Sequence, residues 1–160
     1  GLSSPLFLRL ENVGRRLRTA PAPWGMVSLA MSLSSDESER ILESWEPEGR
    51  EAARRHLLLD YWFIPLYSTT LTVLGLLAAR WFGDRGGNAM RDIALLLTWG
   101  AWLAGLLDFA ENTTLLRIVH AYPSVPEPLT RLAGWFTRFK FLLIFLTLGT
   151  CAFALVSLVS

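Results

Sequence analysis

The sequence predicts an all-α membrane protein, with three transmembrane helices preceded by a cytoplasmic amphipathic helix. Three observations carry this reading. The chain has 160 residues, 52% of them hydrophobic, with a mean hydropathy of +0.36. Its 15 Lys+Arg and 14 Asp+Glu are unevenly spread, with seventeen of these 29 charges in residues 1–60. Beyond them come charge-free runs at 61–79, 93–107 and 141–160. A hydrocarbon core about 30 Å thick needs roughly 20 helical residues at about 1.5 Å each, with every backbone group bonded inside its own helix.

The same figures exclude other classes. Disorder requires low hydrophobicity and high net charge, whereas the net charge here is +1. Cys151 is the single cysteine, so there is no disulfide framework. Basic residues barely outnumber acidic ones, which leaves no excess to neutralise phosphates, and nucleic acid is not an expected partner.

In chain order, residues 1–33 read as a flexible or non-native segment. Arg15-Arg16-Leu17-Arg18 before an apolar run resembles a signal peptide, but Pro21 and Pro23 interrupt the run and no small-residue cleavage site follows. Met26 or Met31 is the expected initiator. Residues 34–56 form the amphipathic region: Asp36-Glu37-Ser38-Glu39 has capping-box character, Ile41, Leu42 and Trp45 make an apolar stripe, and Pro47 restarts a helix leading into the first span. Such a stripe suits the bilayer surface, packing against the inner loop, or a partner helix.

The three-helix domain covers 57–160, with spans at about 60–82, 92–117 and 136–159. A soluble bundle would place polar residues every third or fourth position on an outer face; these segments are apolar around the whole circumference. Tyr61, Trp62, Trp81 and Trp135 fall near the span ends, where aromatic rings favour the headgroup layer. Gly83, Gly86, Gly87 and Asn88 form a short outer turn, and Pro123, Pro126 and Pro128 stiffen the inner loop and exclude a helix there. Arg50, Arg54, Arg55, Arg117, Arg131, Arg138 and Lys140 lie on one side of this topology, which puts the N-terminus in the cytoplasm and the C-terminus outside the cell membrane.

The middle run reaches spanning length only by continuing through Asp108, Glu111 and Asn112, and ionisable groups inside a span are costly unless paired or hydrated. Ala101, Gly105, Asp108 and Asn112 share one face and should meet protein, not lipid. On the first span Asp60, Ile64, Tyr67 and Leu71 recur at helical spacing, with Pro65 freeing a carbonyl. Antiparallel packing would gather Asp60, Tyr61, Tyr67, Asp108, Glu111, Asn112, Arg117, Arg138 and Lys140 into one polar layer. Two uses are open: an ion-pair network that fixes helix packing, or a pocket for a cation, proton or polar headgroup. His56 and His120 lack a second local ligand, so neither haem nor metal is expected and no cofactor is implied. Asn112-Thr113-Thr114 matches a glycosylation sequon at a position unsuited to modification.

Leu59-Asp60-Tyr61-Trp62-Phe63-Ile64-Pro65-Leu66-Tyr67 and Leu107-Asp108-Phe109-Ala110-Glu111-Asn112 together resemble small bacterial multi-pass membrane proteins without an assigned activity. The resemblance implies a membrane location and no particular chemistry. The functional expectation is a small accessory or binding component whose partners are the bilayer and either further copies of itself or a larger membrane complex. The alternative is a small membrane enzyme or an ion or proton relay using Asp60, Asp108 and Glu111.

Overall fold

The computed structural model describes residues 17–159. The sequence features at Arg15 and Arg16 lie outside them. Among the described residues the regular structure is helical: α1 (Met26–Met31), α2 (Ser35–Ser44), α3 (Glu46–Asp84), α4 (Asn88–Ala121) and α5 (Glu127–Val159). The last three are long and apolar enough to cross a membrane. Each runs beyond the span read from the sequence, because helix formation continues past the last apolar residue wherever capping and packing allow.

The helix boundaries have local causes. Ser34 caps α2 by accepting a 3.3 Å hydrogen bond from the Glu37 N–H, so the capping pair is Ser34 and Glu37, two residues before the expected box. Trp45 separates α2 from α3, and Glu46, the first residue of α3, has φ 52°, in the left-handed region. Pro47 follows it and disfavours the right-handed helical conformation at the preceding residue. Pro128 lies in the first turn of α5, where its missing N–H costs nothing, so the expected helix-free inner loop shortens to residues 122–126.

The chain divides into two compact units. One contains residues up to Tyr61 together with Ala110–Thr137. Its core joins Leu29 and Ala30 of α1, Ile41 and Leu42 of α2, Trp45, Leu57 of α3, Leu115 and Ile118 of α4, and Ala133 of α5. Leu17 and Ala22, from the segment 1–33, are buried in the same core. Directed bonds fix this arrangement: Trp45 Nε1 donates to the Leu17 carbonyl at 2.8 Å, and Thr137 Oγ1 donates to the Ala30 carbonyl at 3.0 Å. The Val125 N–H donates to Glu39 Oε1 at 2.8 Å, and the Arg50 guanidinium sits 4.5 Å above the Tyr122 ring.

The other unit contains Trp62–Phe109 and residues from Arg138 onward. It holds three helical segments of 22 or 23 residues, each about 33 Å long. Buried positions on α3 are Ile64, Ser68, Leu71, Ala78, Ala79 and Phe82, with Gly75 between them; on α4 they are Ala94, Thr98, Ala101 and Ala104, followed by Gly105. On α5 Lys140, Thr147, Cys151 and Ala154 are buried. Apart from Ala79 and Ala104, the spacings on α3 and α4 alternate between four and three residues, and those on α5 are seven, four and three, the seven-residue pattern of left-handed helix packing.

Small residues let α3 and α4 approach closely. A methyl group added at Gly105 would run into Ser68 Oγ, and one at Gly75 would stand 2.6 Å from Thr98 Oγ1. Each glycine thus faces a hydroxyl residue of the other helix, and the two crossings are seven residues apart on both helices, as antiparallel packing requires. Thr98 and Thr147 satisfy their hydroxyls against the preceding turn, at Ala94 and Leu143, so these buried oxygens carry no desolvation penalty. The outward faces carry Trp62, Leu96, Trp99, Leu106, Phe145 and Val156, all well exposed.

Candidate functional site

The nine polar residues expected as one layer divide between the units. Asp60, Tyr61, Glu111, Asn112 and Arg117 belong to the first, and Tyr67, Asp108, Arg138 and Lys140 to the second. The first group stands on α3 and α4, and the second on α3, α4 and α5.

In the second unit, α5 carries Lys140 as the last charge before its apolar run, and α4 carries Asp108 as the first charge after its own. Lys140 Nζ donates to Asp108 Oδ1 at 2.8 Å. The side chains are 10% and 16% exposed. Lys140 Nζ is also 5.1 Å from the Phe141 ring centroid. A pair this short and this dry is held by Coulomb attraction in a weakly screening medium, and it also meets the cost of burying each charge.

A groove of about 550 Å³ runs along α3 and α5 beside this pair. Phe63, Leu66, Leu74, Ile144 and Leu148 line its length, and Tyr67, Asp108 and Lys140 stand in its wall. Its volume lies in the range of small-molecule sites, roughly 300–1,000 Å³, and apolar walls with a few convergent polar groups are typical of them.

In the first unit, Tyr61 and Thr113 share a 2.8 Å hydrogen bond between α3 and α4. Asp60 Oδ2 lies 3.6 Å from His56 Nε2, one turn back on the same helix. Glu111 and Asn112 are buried, while Arg117 is exposed. Asn112 Nδ2 meets no acceptor among the described residues.

The residues outside the expected set are His56, Thr113 and Ser68. Only spatial proximity brings His56 to Asp60 as a partner, although their spacing of four residues is a signal the sequence contains. Thr113 stood out in the sequence only within the sequon, yet its hydroxyl is a helix-to-helix contact. Among the described residues no group of three or more His, Cys, Asp or Glu side chains has the geometry to hold a metal ion.

No family model matches this chain, and neither the curated proteins nor the solved structures compared with it gave a match.

Proposed function

We propose that this chain is a three-span integral protein of the cell membrane, with a cytoplasmic N-terminus and an external C-terminus, that acts as a small accessory or binding component. The observation that carries this reading is the second unit. Its three segments match the hydrocarbon thickness, the surface they expose between their charged ends is apolar, and Lys140 and Asp108 pair where one charge-free run begins and another ends. An apolar surface of this extent is stable only against lipid or another protein. The orientation follows from seven basic residues on one side of the spans against Arg80, Arg85 and Arg91 on the other.

Three helices enclose little volume, so a complete transport path would require further copies or a larger complex. The Lys140–Asp108 pair supports a binding role, since it places charge beside an apolar groove. Purification of the full chain in a gentle detergent, followed by mass spectrometry of co-purifying species, tests the accessory reading. A stoichiometric membrane-protein partner or a defined homo-oligomer is expected, and a bare monomer contradicts it. Burial of Glu111 is the observation that favours a relay as the second reading. A relay would keep its assembly and lose its activity in Glu111→Gln.

A further inference from the structure

We infer that the segment 19–35, which carries α1, is an interfacial anchor, with Trp24, Val27 and Met31 lying in the headgroup layer of the leaflet where α5 begins. This rests on the membrane reading above and adds a lipid contact outside the three spans. The segment has two faces. Leu29 and Ala30 are buried in the core of the first unit, while Val27 and Met31, one helical turn apart, are exposed and Trp24 is 73% exposed. None of the seventeen charges in residues 1–60 falls between Arg18 and Asp36. An uncharged apolar face of this kind is costly against water and stable against lipid. The stripe that the sequence offers for the bilayer is used elsewhere: Ile41 and Leu42 of α2 and the following Trp45 are buried in the same core, and α2 turns Asp36, Glu37, Arg40 and Glu43 outward.

Depth decides the occupant. Thr137 Oγ1 donates to the Ala30 carbonyl at 3.0 Å, which fixes α1 against α5 four residues, about 6 Å, before the charge-free run begins at Phe141. The headgroup layer is about 5–8 Å thick on each side of the hydrocarbon, so this bond holds α1 within it. The outer surface of α5 is apolar over the same depth. Leu142, Phe139, Trp135 and Leu132 follow one another at spacings of three, four and three residues, and all are exposed, so the lipid-facing stripe of the span continues past the level of Thr137. Trp24 and Trp135 are both exposed, as rings that favour the headgroup layer should be. With no charge between Arg18 and Asp36, the contact is driven by apolar burial and needs no particular headgroup.

The test places a nitroxide at single cysteines of the full chain, in a Cys151→Ala background, and reconstitutes it into phosphatidylcholine vesicles. Collisions with oxygen, which concentrates in lipid, are compared with collisions with a water-soluble nickel chelate. Val27→Cys and Met31→Cys sit at exposed positions, so the label leaves the core intact. Both are expected to favour oxygen severalfold more than Arg40→Cys on the outward face of α2, and to approach Phe145→Cys on the exposed face of α5. Ratios at Val27 and Met31 equal to that at Arg40 overturn the inference alone. So does shielding from both reagents, the result if residues 1–16 or a second copy of the chain covers the patch. Free access of the nickel chelate to Phe145→Cys overturns the membrane reading and the inference together.

Discussion

Lys140 of α5 and Asp108 of α4 form a 2.8 Å ion pair whose side chains are 10% and 16% exposed, tying two membrane-length helices together at the ends of their apolar runs. Breaking it one-sidedly strands a charge. Lys140→Met is expected to destabilise the protein by about 3–5 kcal/mol, whereas Lys140→Met combined with Asp108→Leu should restore most of the loss, since apolar replacement of both partners is often neutral. Unfolding of purified protein in mixed micelles, with all variants in one detergent, measures both. Equal loss in the single and double variants would show that the pair has no energetic coupling.

Close approach of α3 and α4 depends on Gly105 lying against Ser68. Gly105→Ala puts a methyl group into Ser68 Oγ and should cost about 1–3 kcal/mol despite the better helix propensity of alanine. Ser68→Ala removes the obstructing oxygen, so the double variant is expected to recover to wild-type stability or above it. A double-mutant cycle in the same micelle assay gives the coupling directly. Additive losses would contradict a contact between these two positions.

The first unit can be tested apart from the spans. Trp45 Nε1 bonds the Leu17 carbonyl from a fully packed position, so Trp45→Phe leaves a buried carbonyl unsatisfied and should cost about 1–3 kcal/mol. Hydrogen exchange at residues 17–45 should rise in this variant, while exchange in 62–84 stays unchanged.

Glu46 adopts φ 52° without being glycine. Glu46→Gly removes the left-handed strain and should stabilise by up to about 1 kcal/mol, reduced by loss of a negative charge near the start of α3. Glu46→Val, β-branched at the same angle, should destabilise. The opposite order in thermal melts would show that the turn is not strained.

The three long apolar helices and the protein-facing stripe of α4 were legible because they depend on composition and period alone, whereas the short helix α1 was not. Ala101, Gly105 and Asn112 announce a packed face by being small or polar within an apolar run, and Ala101 and Asn112 are indeed buried. Partner choice was not legible. Three acids and three bases near the span ends permit many pairings, and only the register between helices selects Lys140 for Asp108. Residues 17–33 gave little signal because Pro21 and Pro23 break the periodicity; Leu17 and Leu29 are buried by contacts with residues far along the chain. The helical ends beyond the spans were hidden for a related reason, as charged residues such as Arg54 and Arg55 extend a helix without adding apolar periodicity.

If α3, α4 and α5 each cross the membrane, the α3–α4 turn and the α4–α5 loop lie on opposite faces. Cys151 is the sole cysteine, so a Cys151→Ala background permits single-cysteine labelling at exposed Asn88 or Ser124. In intact cells a membrane-impermeant thiol reagent should label Asn88→Cys at once and Ser124→Cys only after permeabilisation. Labelling of both positions before permeabilisation, or protection of both, would contradict three crossings with a cytoplasmic N-terminus.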